Sequence, residues 1–176
     1  RPRRVASQEL QARREAVIGA TGPTGKHLAR ELVQRGVRVR VISRSADNLE
    51  RAFADLDAQR IAADAVDTEA VRRAIDGCDV IFDCIGLPAD QMDLHPETAK
   101  TIAKAATAVG SRLMQVSSFW SYLPAASMPI NCGSSRSGGN FYIRMRREAE
   151  DIVLAGGGAV LHLPDFFGPE VHSSSL

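Results

Sequence analysis

Three glycines at three-residue spacing, in Gly19-Ala20-Thr21-Gly22-Pro23-Thr24-Gly25, are the residues of this chain whose chemistry is easiest to name. An apolar run, Ala16-Val17-Ile18, precedes them, and apolar residues at helical spacing, Leu28, Ala29, Leu32 and Val33, follow. A strand, a glycine turn and a helix start are what a dinucleotide pyrophosphate needs. The turn is tight, the backbone comes close to the phosphates, and the helix start offers unpaired N–H groups at the positive end of its dipole. Gly22 has no Cβ to hold a phosphate away, and Gly25 lets the helix pack closely on the sheet. A triphosphate-binding loop is the competing reading, because Gly25-Lys26 resembles its end. That loop needs glycine where Ala20 stands and Ser or Thr, for magnesium, where His27 stands, so the dinucleotide reading is the stronger.

The end of the second strand selects the dinucleotide. An acidic residue there, about 20 residues past the turn, would accept from the ribose hydroxyls of NAD. This chain has Ser43-Arg44. A guanidinium offers a 2′-phosphate a fixed cation with several donors, where a carboxylate would repel it. The expected cofactor is therefore NADP, with NAD as the alternative. A second grouping is Tyr142 and Arg146, four residues apart and so on one face of a helix. A tyrosine has an ordinary pKa near 10 and needs a neighbouring cation to move protons near neutral pH. The same face, with Met145, Ala149, Ile152 and Val153, also makes an ordinary packing surface, and spacing alone favours that reading.

The elements that would position these residues alternate from residue 16 onward. Strands are expected at 16–18, 37–42, around 60–62, 80–85, 112–116 and 159–163. Helices are expected at 25–35, 46–56, 67–75, 96–109 and 140–155, with Gly36 and Gly77 as stops, Asp67 as a cap and Pro96 in a first turn. Strictly alternating strands and helices predict an α/β fold, a doubly wound parallel sheet of about six strands with helices on both faces. Residues 123–140, with Pro124, Pro129, Gly133, Gly138, Gly139 and several serines, break this rhythm and read as a long loop, a kind of segment that often carries function.

Composition narrows the class. The chain has 176 residues, 44% of them hydrophobic, and a formal net charge of +1, enough for one real core and no case for a nucleic-acid partner. No apolar run approaches the roughly 18 residues of a membrane span. Cys78, Cys84 and Cys132 lack metal-ligand spacing, and His27, His95, His162 and His172 show no paired metal spacing, so no metal is expected. Reduced thiols point to a cytoplasmic setting. Residues 1–14, holding Arg1, Arg3, Arg4, Arg13 and Arg14, are expected to be a basic leader outside the fold. Residues 15–176 are then the cofactor domain of a fragment that ends before a substrate region. The run Arg144-Met145-Arg146-Arg147 is expected on a solvated helix face.

In order and spacing, the glycine turn, Asp64 after the third strand, Asp79-Val80-Ile81-Phe82-Asp83-Cys84-Ile85-Gly86, Val116-Ser117-Ser118, Tyr142 with Arg146 and Glu150, and Pro164-Asp165-Phe166-Phe167-Gly168-Pro169 accumulate into a pattern. It resembles the extended and atypical short-chain dehydrogenase/reductases, the NAD-dependent epimerase/dehydratase group, over residues 16–170. The resemblance implies a Rossmann-type fold and an oxidoreductase or epimerase transferring hydride at a carbinol or carbonyl carbon of a small-molecule substrate. It implies that Gly19, Thr21, Gly22, Pro23, Thr24 and Gly25 hold the pyrophosphate and that Asp64, with Ala65 beside it, meets adenine. Cys84, Ile85 and Gly86 would line the path from the ribose to the nicotinamide, and Pro164 would lie near that ring. Ser118 matches the catalytic Ser/Thr, orienting the substrate oxygen, and Tyr142 the general acid/base. Arg146 stands where the family has lysine, keeping the charge in a larger planar fork. That departure supports an alternative, a cofactor-sensing regulator of the nitrogen-metabolite-repressor type that binds without turnover. The family also pairs through helices corresponding to 96–109 and 141–155, which implies a homodimer.

Overall fold

The structure, a computed structural model, describes residues 13–164. Six parallel strands form one sheet in the order β3-β2-β1-β4-β5-β6. They are β1 (Arg14–Ile18), β2 (Arg38–Ser43), β3 (Gln59–Ala62), β4 (Val80–Asp83), β5 (Arg112–Ser118) and β6 (Ala159–Leu163). The helices are α1 (Pro23–Gln34), α2 (Ala46–Phe53), α3 (Thr68–Ile75), α4 (Leu94–Val109) and α5 (Phe141–Ala155), with 3-10 turns at Ala89–Gln91 and Phe119–Tyr122. This is the Rossmann-like α/β fold that the alternation predicts. No helix among the described residues is long and apolar enough to cross a membrane.

Strand alternation separates two cores. Ala16, Ile18, Ile42 and Ile81 face α3, α4 and α5, meeting Val71, Ile75, Ile102 and Val153. Val17, Val39 and Val41 face α1 and α2, meeting Ala29, Leu49 and Phe53. Period-2 alternation within each strand is the reason one sheet serves both layers. On that second face, Phe82, Met114 and Val116 are only half-buried and Leu161 is exposed, because α1 and α2 cover only its β1–β3 half.

Element ends depart from the sequence expectation for local reasons. β1 begins at Arg14, whose N–H donates to Asp79 Oδ2 at 2.9 Å, so the expected leader of residues 1–14 overreaches by including a strand residue. Residues 1–12 and 165–176, including the expected Pro164–Pro169 segment beyond Pro164, lie outside the described residues. β4 stops at Asp83 rather than Ile85 because Asp83 Oδ1 accepts the Ile85 N–H at 3.0 Å and takes it from the ladder. β5 runs two residues past Val116, pairing Ser117 with His162 and Ser118 with Leu163. α4 starts at Leu94, placing Pro96 at its third position, where a missing N–H leaves no helical bond unmade.

Candidate functional site

A cleft of about 500 Å³ opens at the carboxyl ends of β1, β2 and β4. β1 lies between β2 and β4, so the winding reverses there, and a ligand crosses such a sheet at that point. Gly19, Thr21 and Gly22 border the cleft, with Ser43 and Arg44 from the end of β2, Asp64 after β3, and Ile85 and Gly86 after β4. The turn is built backbone against backbone. Gly19 sits at φ 74°, and a Cβ there would lie 2.9 Å from the Cys84 carbonyl and the Ile85 nitrogen. A Cβ on Gly25 would lie 2.5 Å from Gly19 O and 2.7 Å from Ala20 Cα. Gly22 N donates to Gly19 O at 3.1 Å, and Pro23 opens α1 with Gly22 as its cap. This cradle, with the α1 N–H groups beside it, fits a dinucleotide pyrophosphate.

Other expected cofactor residues stand further back. Gly25 is buried behind the turn, and Pro23 and Thr24 lie in the first turn of α1. Cys84 is a correction. Its side chain is buried with α1 and α2, so only its backbone supports the turn, and Ile85, Gly86 and Leu87 line the cleft. Burial first, and the neighbouring Asp83 second, push its thiol up to about 12, which removes it as a nucleophile. Asp64 spends Oδ1 on the Val66 N–H at 3.2 Å, with Ala65 buried beside it. Pro164 is exposed just past β6.

The second grouping lies beyond the ends of β4 and β5. Arg146 Nε donates to the Tyr142 hydroxyl at 3.1 Å, and its guanidinium carbon lies 5.6 Å from that ring's centroid. Trp120 meets the same ring edge-on, with centroids 6.3 Å apart. Ser118 Oγ accepts the Trp120 N–H at 3.3 Å and caps the 3-10 turn. The serine that reaches Arg146 is Ser117, 3.4 Å from Arg146 Nη1. Arg147 corrects the expectation of a solvated helix face. It is buried, donating from Nε to Ser121 O at 2.6 Å and from Nη2 to Leu123 O at 2.9 Å, while Nη1 reaches Gly138 O. Both ends of the long loop are thereby tied to α5.

Sequence reasoning also missed a layer of buried polar groups beneath Arg146. Asp83, His95 and Gln115 are all buried, and Gln115 Nε2 donates to Asp83 Oδ2 at 3.4 Å across the β4–β5 pair. Their signal was available in the polar positions 115 and 117 of β5, on the face that carries Leu113. Burial pushes His95 down to about 4, aided by the Arg146 charge, so it is neutral near pH 7. Burial likewise pushes Asp83 up to about 6 from 3.8, while the Ile85 N–H, Gln115 and Arg146 pull it back only in part. A raised folded-state carboxyl means that the ionised form carries a cost, complete above about pH 6 and absent below 3.8. Asp83→Asn is therefore expected to raise the melting temperature at pH 8, by an amount that disappears near pH 4. With the Gln115 amide turned over, its Oε1, which now has no partner, would accept from the new amide. A lower melting temperature at pH 8 would mean instead that Arg146 depends on the Asp83 charge. Among the described residues no cluster of His, Cys, Asp or Glu could hold a metal ion.

Comparison with known proteins bears on the cleft. Residues 19–156 match the model of a family described as NAD(P)H-binding. A ceramide reductase of Caulobacter vibrioides is 30% identical over 161 residues, which are 88% of this chain and 46% of that protein. The enzyme WbmG of Bordetella bronchiseptica, solved in complex with NAD, superposes with a TM-score of 0.78 at 20% identity, over 92% of this chain and 56% of that one. A UDP-glucose 4-epimerase of Brucella ovis, also solved with NAD, gives 0.73 at 16% identity, over 88% and 52%. The chain thus spans about half the length of these relatives, and the two structures share its fold.

Proposed function

From a chain that belongs to the NAD(P)H-binding family and has its structural neighbours among the epimerase and short-chain dehydrogenase/reductase proteins, we propose a protein that holds NADP(H) in the cleft at the β1–β4 switch point and serves hydride transfer at a carbinol or carbonyl carbon. The observation that carries this reading is the glycine cradle opening onto a cleft whose far wall is Ser43 and Arg44. In this reading Gly19, Thr21 and Gly22 hold the pyrophosphate, Asp64 meets adenine, and Ile85 and Gly86 border the ribose. Arg44 meets the 2′-phosphate, and an adjoining hollow lined by Thr21, Lys26, Asn48 and Arg51 adds two further cations beside it. When bound, the nicotinamide supplies or takes the hydride. Tyr142 moves the proton of the substrate oxygen, which Ser118 orients. Because Arg146 Nε–H donates to the phenol oxygen, the Tyr142 hydroxyl does not spend its hydrogen on Arg146 and keeps it for a substrate oxygen. The ceramide reductase relative supports reduction over epimerisation and makes ceramide-class lipids the first substrates to try.

The arginine in place of lysine is the one feature that favours the second reading, a sensor that binds cofactor without turnover. Calorimetric titration with NADPH and NADH, on the chain and on Arg44→Ala, tests the cofactor. Selective NADPH binding is expected, weakened in the variant by about 1.5–3 kcal/mol, the scale of a hydrogen bond to a charged group, or roughly tenfold or more in Kd. A preference for NADH would remove the role of Arg44, and binding of neither would overturn the proposal for this chain.

A further inference from the structure

Arg146 is held from two directions. Its Nε donates to Tyr142, one turn back on α5, and its Nη1 to Ser117 Oγ on β5, at 3.1 and 3.4 Å. A lysine has one nitrogen and no fork, so a hold on two acceptors with fixed relative angle is a property of arginine at this position. Ser117 is itself directed. Its hydroxyl donates its only hydrogen to Glu150 Oε1 at 2.5 Å, which leaves lone pairs for Arg146. Glu150, wholly buried, is fixed in turn by four donors. Ser117 and Ser121 serve Oε1, while Arg136 Nη1 at 2.6 Å and His162 Nε2 at 3.2 Å serve Oε2. These donors come from β5, the 3-10 turn, the long loop and β6, so the carboxylate is anchored to four separate segments.

We infer that Ser117 and Glu150 are positioning residues that lock the Arg146 guanidinium beside the Tyr142 hydroxyl, so that the arginine serves as the fixed cation of the site. The inference rests on the proposed role of Tyr142 only for its catalytic consequence; the lock itself is a property of the side chains. It also accounts for the departure from lysine. The cation reaches the phenol oxygen through a two-point hold built into the protein rather than through contact with the cofactor's ribose. The 3.4 Å bond is the longest link, and Ser117 is the smallest residue that can be removed from it.

The test follows the Nε–H of Arg146 by NMR on the whole chain, its resonance identified by its loss in Arg146→Lys. In the unaltered protein this hydrogen is expected to exchange slowly with water. In Ser117→Ala exchange should accelerate about tenfold or more with the backbone amide spectrum preserved, and Ser117→Thr, which keeps the hydroxyl, should restore it. Unchanged exchange in Ser117→Ala would overturn the lock. So would equal acceleration in the alanine and threonine variants, which would mean loosened packing. NADPH titration of the same samples separates the two ideas. Faster exchange with NADPH binding intact supports the lock, while failure of every sample to bind NADPH sinks the proposed function and leaves the lock standing. With a turned-over substrate in hand, Ser117→Ala should lower kcat with the cofactor KM unchanged, and the threonine variant should recover it.

Discussion

Gly25→Ala is expected to abolish NADPH binding and to lower the melting temperature by about 2–12 °C. The added methyl would lie 2.5 Å from Gly19 O and 2.7 Å from Ala20 Cα. Both are backbone atoms, so no side chain can swing away. The turn they belong to is pinned from outside, since Gly19 and Ala20 N–H both donate to Ile42 O, at 3.0 and 3.2 Å. Relief therefore requires α1 to lift from β1, which shifts the N–H groups that would meet the pyrophosphate. Overpacking of this kind costs about 1–3 kcal/mol, and about 2–4 °C accompanies each kcal/mol in a domain of this size. Gly86→Ala is the control for stability alone, because its Cβ would meet no protein atom within 4 Å while Gly86 itself borders the cleft. A Gly25→Ala protein that melts and binds like the original would refute the account of the turn.

Glu150→Ala is expected to be more damaging, by about 3–5 kcal/mol near neutral pH, the usual consequence of removing one partner from a buried charged network. Arg136, His162, Ser117 and Ser121 would lose their common acceptor, a carboxylate that is itself fully buried. Burial pushes this carboxyl up, but hydrogen bonds from His162, Ser117 and Ser121 outweigh burial and hold it below its ordinary 4.5. The sign follows directly. A lowered folded-state value contributes stability that is complete above about 4.5 and is lost as the pH falls through the folded value. The gap between the two proteins should thus be widest at pH 7 and narrow below about pH 4.5. Melting curves at both pH values decide it, and a gap that does not change with pH would show that packing rather than charge is at stake.

These two residues mark the line between what was legible in the chain and what was not. Gly19, Gly22 and Gly25 announce the turn because backbone conformation and close approach depend on residue type at fixed, local spacing. The strands were equally readable, since alternating or continuous apolar runs such as Val37–Ile42 and Val80–Ile85 reflect burial on one face or both. Their ends were less so. Asp83 stops β4 by a side-chain bond to its own backbone, which competes with the ladder in a way that pattern does not reveal.

At the Tyr142 end, helical spacing was enough to place Arg146 on the same face as the tyrosine, one turn away. It could not show that Ser117 rather than Ser118 would meet the guanidinium, because that depends on which face of β5 packs against α5. Nor could it show Arg147 buried against the carbonyls of Ser121, Leu123 and Gly138, when the neighbouring Arg144 stays exposed. Sequence by itself determined the layers, the parallel sheet and the glycine cradle, all set by short-range spacing. Tertiary structure alone decided the Glu150 network, whose members are 12 to 33 residues from it along the chain. Hydrogen bonds between such distant side chains form only after the sheet and α5 have docked, and no local pattern encodes them.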